Sequence, residues 1–213
     1  MPKIVFISDT HGFYKQLSLP EGDILVHSGD FGPRGTLSEL KDFHRWMISQ
    51  PHQHKVFIAG NHDWCFEREP SAARKVLEGI TYLQDEAATI MGLQFYGSPW
   101  QPRFYDWAFN LDRGVPLKKV WAKIPDTTDV LVTHGPPYGI LDATNRGEKV
   151  GCEDLLERVQ KVRPKLHLFG HIHEGYGVQE GGGTTFANGA ICDLRYVPRN
   201  LPLVFEVDGL EKG

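Results

Sequence analysis

Cysteine is scarce: Cys65, Cys152 and Cys192 are odd in number, far apart and in no Cys-x-x-Cys spacing. That argues against a disulfide framework and a thiolate zinc knuckle, and leaves reduced thiols of the kind a cytoplasm keeps. Long apolar runs are missing too. No run of roughly 18 apolar residues occurs, and the opening "MPKIVFISD" meets Asp9 too soon for a signal peptide, so no segment is expected to enter a membrane. Charge of one sign is equally lacking. The 23 Lys and Arg stand against 27 Asp and Glu, a net charge of -4, which offers no broad basic field to a nucleic-acid backbone or an anionic membrane. Repeats, long linkers and charge blocks are absent. The one low-complexity patch, Gly181 to Gly183, is followed by no helix and reads as a turn rather than a phosphate cradle.

What is present suffices for a core: 40% of the 213 residues are hydrophobic, and residues 1–213 are expected to form a single domain. Five short apolar runs read as buried strands: "KIVFIS" (Lys3 to Ser8), "DILVHS" (Asp23 to Ser28), "KVFIAG" (Lys55 to Gly60), "DVLVTH" (Asp129 to His134) and "LHLFGH" (Leu166 to His171). Helical patterns lie between them. Thr36 and Glu39 form a capping box ahead of Leu37, Leu40, Phe43 and Met47. A second helix is expected from Pro70 to Gly79, and a third places Leu155, Leu156, Val159 and Val162 on one face before Pro164. Glycine-centred hairpins over Ala87 to Gly97 and Tyr176 to Gly189, with a last strand at Leu203 to Val207, point to a second sheet. The expectation is an α/β (α+β) fold of two sheets with helices outside.

Each apolar run gives way to polar residues of one kind: Asp9 and His11, then Asp30, then Asn61 and His62, then His134, then His171 and His173. All follow strand carboxyl ends, the edge where ligands sit in open α/β sheets. Turn chemistry alone asks for Asp, Asn and Gly but not for histidine. Carboxylate, imidazole and amide donors without thiolate suit hard or borderline divalent ions, Mn²⁺ before Fe²⁺, Zn²⁺ or Mg²⁺. Seven candidate ligands exceed what one ion needs, so two ions are expected, about 3.5–4 Å apart and sharing Asp30, whose two oxygens could bridge them. Such a pair lowers the pKa of a bound water, polarises a phosphoryl oxygen and clamps an in-line displacement at phosphorus. The remaining histidines read otherwise: His27 and His167 as core residues, His44 on a helix face, His52 and His54 in a polar loop.

In that order, Asp-x-His, Gly-Asp, Gly-Asn-His-Asp, Thr-His-Gly and Gly-His-x-His resemble the motifs of the calcineurin-like metallophosphoesterases. "SPWQPRFYDWAFN", "RPKLHLFGHIHEGYG" and "CDLRYVPRNLPLVFEV" look like its small metallophosphoesterase-domain-containing branch, and the likeness covers nearly the whole chain. The resemblance implies a four-layer αββα sandwich and a phosphodiesterase, with nucleotide diesters, including cyclic ones, among the substrates. It implies one metal on Asp9, His11, Asp30 and His173, and the other on Asp30, Asn61, His134 and His171. His62 would be the histidine that stabilises the phosphoryl transition state or protonates the leaving oxygen. Some members of the branch carry Gly where this chain has His173. "GDFGPRG" is similar to the protein-phosphatase pattern Gly-Asp-x-x-Asp-Arg-Gly, but Pro33 stands where that pattern has the Asp that orients the histidine.

Around the motifs, Arg34 offers a guanidinium fork to phosphate, and Arg103 and Asn110 are further substrate-contact candidates. Trp100, Phe104, Trp107 and Phe109 would either wall a pocket for a base or fill the core, with Trp100 the first choice for the wall. Three functions follow: a phosphodiesterase acting on a small, nucleotide-type ester, a phosphomonoesterase or phosphoprotein phosphatase with the same metals, and a non-catalytic scaffold. The retained ligands and His62 speak against the scaffold. The shortage of cationic side chains near the motifs favours the diester.

Overall fold

The computed structural model describes residues 1–208, so the last five residues of the span read as one domain lie outside the described part. The first sheet holds β1 (Lys3–Ile7), β2 (Ile24–His27), β3 (His54–Phe57) and β4 (Thr81–Tyr82), all parallel. The second contains β5 (Glu86–Ile90), β6 (Leu93–Ser98), β9 (Val130–Thr133), β10 (Leu166–Phe169), β11 (Gly177–Gly181) and β12 (Thr184–Asn188), in the order β11-β12-β10-β9-β6-β5. Two-residue strands β7 (Gln101–Pro102) and β8 (Asn110–Leu111) pair separately. The five apolar runs thus divide three to two between the sheets. Both hairpins join the second sheet, but the last strand, β13 (Leu203–Glu206), does not: it lies antiparallel to β1 at the edge of the first.

Period-two alternation builds the layers. Ile4, Phe6, Ile24, Val26, Val56 and Ile58 point inward and pack on Leu93, Phe95, Val130, Val132, Leu166 and Leu168, making the core between the sheets. The alternate residues Val5, Ile7, Leu25 and Phe57 meet Leu40, Phe43 and Met47 of helix α1 (Leu37–Ser49), together with α2 (Cys65–Arg68) and α3 (Pro70–Val76). On the other outer face, Tyr96, Leu131, Phe169 and Phe186 meet α4 (Val115–Trp121) and α5 (Glu153–Val162). Helix, sheet, sheet, helix is the resulting four-layer sandwich.

Local signals hold where they are chemical. Glu39 and Thr36 close the capping box at the start of α1, and α5 ends at Val162 because Arg163 turns left-handed ahead of Pro164. Leu155, Val159 and Val162 are buried and Leu156 is half-buried. The short helices α2 and α4 carry too few periodic residues to stand out in the sequence. Among the described residues, no helix is long and apolar enough to cross a membrane.

Replacing Thr36 by Ala removes the box and leaves the Glu39 amide without its side-chain acceptor. The expected cost is about 1 kcal/mol, read as a fall in melting temperature of roughly 2–4 °C by calorimetry.

Candidate metal centre

Backbone bonding draws the strand ends together. Ser8 bridges Ala190 just past β12, its amide donating to the Gly189 carbonyl at 2.8 Å, which stitches the two sheets at this edge. The Asp9 amide donates to the Gly29 carbonyl at 3.0 Å, and the Gly170 amide to the His134 carbonyl at 2.9 Å. Asp9, His11, Asp30 and His171 take left-handed φ angles of 49°, 43°, 59° and 67°. Such strain in residues bearing a Cβ persists only where the surroundings over-determine it. Two glycines leave room for the carboxylates: a Cβ on Gly170 would stand 1.9 Å from Asp9 Oδ2, and one on Gly60 2.3 Å from Asp30 Oδ1.

All seven candidate ligands meet here. Asn61 Oδ1 lies 2.8 Å from both His134 Nε2 and His171 Nδ1. His11 Nε2 lies 3.3 Å from His173 Nε2, which is 3.4 Å from Asp9 Oδ1. These spacings match the roughly 3 Å expected between neighbouring donors on an ion whose bonds are about 2.1 Å. Asp30 Oδ2 faces both groups, 3.9 Å from His11 Nε2 and 3.6 Å from His134 Nε2. Its other oxygen is taken by the His62 amide at 2.8 Å. Asp30 thus stands between the two donor groups, where a carboxylate shared by two ions would be held. Outer nitrogens are anchored by main chain: His134 Nδ1 donates to the Ser28 carbonyl at 2.9 Å and His173 Nδ1 to the Asp193 carbonyl at 3.0 Å.

A family model described as calcineurin-like phosphoesterase matches residues 2–175. The chain belongs to that family. A human and a mouse protein, each named metallophosphoesterase domain-containing protein 1, are 43% identical to it over 230 residues, covering 96% of this chain and 71% of theirs. A Caenorhabditis elegans UPF0046 protein is 37% identical over 219 residues, covering 96% of this chain and 75% of its own. Among solved structures, TT1561 of Thermus thermophilus is similar in fold, with a TM-score of 0.61 at 15% identity over 88% of each chain. As a calcineurin-like phosphoesterase the chain is a metal-dependent phosphoester hydrolase, and the converging Asp, His and Asn donors fit a dinuclear site for divalent ions.

The electrostatics of this phosphoesterase suit cations. Burial alone would raise the carboxyls of Asp9 and Asp30, but the surrounding histidines draw both well below the usual carboxylate range. Burial likewise opposes charge on His134 and His173, yet their carboxylate neighbours win and push each up to about 9. Burial lowers His171 to about 3 and His11 to about 4. Asp63 does not touch the His62 ring. Its carboxylate accepts from the amides of Gly60 (2.7 Å), Asp30 (2.8 Å) and Phe31 (3.2 Å), and so ties the β2 and β3 ends together beneath the site. His27 and His167 are core residues, each bonded to a threonine hydroxyl. His52 lies in the loop before β3, where it is buried and bonds the Pro20 carbonyl, and His54 opens β3 itself.

The substrate-contact candidates fall elsewhere. A cavity of about 290 Å³ opens over the metal centre, and Arg34, Trp100, Arg103 and Asn110 do not line it. Arg34 is exposed. Trp100 is half-buried against the core and donates to Asp85 at 3.2 Å, while Arg103 pairs with Asp112 at 2.7 Å. Asn110 clamps the loop carbonyls of Phe104 and Tyr105 at 3.3 and 3.1 Å. Trp107 and Phe104 line the cavity in place of Trp100, joined by Tyr105, Glu174, Leu194 and Tyr196, none of which belongs to the five motifs.

Replacing His173 by Gly is expected to lower Mn²⁺ content from about two ions per chain towards one, read by plasma emission. Unchanged stoichiometry would remove His173 from the ligand set. Because His134 and His173 hold protons up to about pH 9 and a cation needs their neutral nitrogens, Mn²⁺ uptake at pH 7 should expel protons. Affinity should therefore rise from pH 7 to 9 and then level off. Titration calorimetry in buffers of different ionisation enthalpy measures the release.

Proposed function

We propose that this phosphoesterase is a phosphodiesterase acting on a small, nucleotide-type ester, with Asp9, His11, Asp30, Asn61, His134, His171 and His173 as its metal ligands. One observation carries the preference for a diester: among the described residues, no lysine or arginine lines the cavity, and Glu174 adds an acidic group. A phosphate monoester brings a second negative charge that such walls leave unmatched. A diester brings one. Two divalent ions, when bound, neutralise that charge and make water a competent nucleophile near neutral pH.

His62 supplies the proton. Its Nδ1 donates to the Pro33 carbonyl at 3.2 Å, and its ring stacks on Trp107 at 4.3 Å and 32°. That leaves Nε2 at the cavity, 3.9 Å from Asp30 Oδ2. In its doubly protonated form the ring carries a proton on Nε2 as well as on Nδ1. Water attacks phosphorus in line and releases a proton to solvent, the ester P–O bond breaks, and the leaving oxygen takes the Nε2 proton, leaving the neutral ring with Nδ1–H on the Pro33 carbonyl. No protein nucleophile is needed, and Cys65, Cys152 and Cys192 are all buried away from the cavity.

His62→Ala is expected to lower turnover by roughly 10²–10⁴-fold with metal content unchanged. Purified protein with Mn²⁺ should be offered cyclic nucleotides, a synthetic diester and a synthetic monoester. Preference for the monoester would replace the diester reading with a phosphatase, and retained activity in His62→Ala would remove the assigned role.

A further inference from the structure

The segment from Asp193 to Arg199 carries none of the five motifs, yet it reaches the cavity as a built turn. Asp193 organises it. Its Oδ1 accepts from the amides of Arg195 at 2.8 Å and Val197 at 3.1 Å, and its Oδ2 pairs with Arg199 Nε at 2.8 Å. The Asp193 carbonyl accepts from the Tyr196 amide at 2.9 Å and from His173 Nδ1 at 3.0 Å. The same residue thus anchors a metal ligand and shapes the turn. Tyr196 is driven into a left-handed φ of 56°, a conformation that a side chain with a ring adopts only under constraint.

The constraint places an aromatic face at the site. Tyr196 stands edge-on to His11 at 4.7 Å and to His173 at 5.6 Å, lines the cavity, and remains 48% exposed. Trp107 lines the same cavity, stacked on His62, with Phe104 and Tyr105 farther out at 58% and 77% exposure. Exposed rings gathered at a cavity mouth, with no lysine or arginine among the described residues lining the cavity, are suited to cover a flat apolar group.

We propose that Tyr196, together with Trp107, forms a stacking subsite for a flat aromatic or heteroaromatic ring carried by the ester, and that Tyr196 is a specificity-determining residue. The proposal rests on the diesterase reading for its substrate but not for its test, which measures binding rather than turnover. The probes are adenosine 5′-monophosphate and ribose 5-phosphate, which share sugar and phosphate and differ by the ring. With Mn²⁺-loaded protein, titration calorimetry should find the nucleotide bound about ten- to a hundred-fold more tightly, the range stacking of one base supplies. Tyr196→Phe should keep that ratio. Tyr196→Ala should bring it close to one through weaker nucleotide binding, with ribose 5-phosphate affinity and Mn²⁺ content held within about three-fold. A wild-type ratio near one, or a Tyr196→Ala protein that loses both ligands equally, overturns the subsite. If no diester is cleaved but the ratio stands, the diesterase reading fails and the subsite survives; if diesters are cleaved and the ratio is one, the subsite fails alone.

Discussion

Asp30 is buried with one oxygen committed to the His62 amide and the other facing His11, His62 and His134 within 3.9 Å. A carboxylate so placed is costly unless positive charge or hydrogen bonds surround it. The arrangement around it meets that need. The backbone turns left-handed at Asp30, Asp63 holds the Asp30 amide from below, and Gly60 yields the volume a side chain would occupy. With one oxygen accepting from the His62 amide, the other faces both donor groups, so the position of Asp30 would govern how two bound ions share it. That constraint explains why the glycine, the left-handed residues and the buried Asp63 all cluster at one strand edge.

The two-sheet architecture follows from the same requirement. Donors drawn from positions 9 to 173 sit on strand ends of both sheets, three from the first and two from the second. They converge only if the sheets cannot slide. The apolar layer between the sheets is fully packed, and the Ser8–Ala190 bridge pins their edges where the donors lie. Side chains in such an interior transmit displacement rather than absorb it, so the site inherits the rigidity of the core.

What the sequence made legible was what depends on local chemistry. Buried strands announce themselves as short β-branched and aromatic runs, the capping box at Thr36 is a two-residue code, and histidine after a strand is not a turn residue. The five strand ends, the two sheets with helices outside and the candidate ligands at one strand edge were readable on those grounds, while the four-layer order came from the family resemblance. What depends on tertiary placement was not. Trp100, which follows a Ser-Pro turn, was the first choice for the pocket wall, yet it donates to Asp85 and packs against the core while Trp107 lies against His62. Tyr196 reaches the site only because Asp193 folds its turn, and nothing in the pattern "CDLRYVPRN" reports that, since the bonds that shape the turn are from the Arg195 and Val197 amides to one carboxylate oxygen. Strand β13 is too short to declare which sheet it joins.

Pro33 bears on the charge of the site. Where the protein-phosphatase pattern has a carboxylate to orient the histidine, this chain offers the Pro33 carbonyl, which fixes the ring tautomer by accepting from Nδ1 but brings no negative charge. Trp107 supplies the second restraint, a ring face that fixes the plane of His62. Position is thus preserved while one anion is removed from beside the reacting phosphoryl group. With Asp9, Asp30 and Glu174 already contributing negative charge around a cavity that no lysine or arginine among the described residues lines, that omission lowers the repulsion an anionic substrate meets. The singly charged ester proposed above fits that balance, since two divalent ions, when bound, would have to offset the ligand carboxylates as well as the substrate. The neutral carbonyl and the absence of cationic walls are two sides of one charge balance.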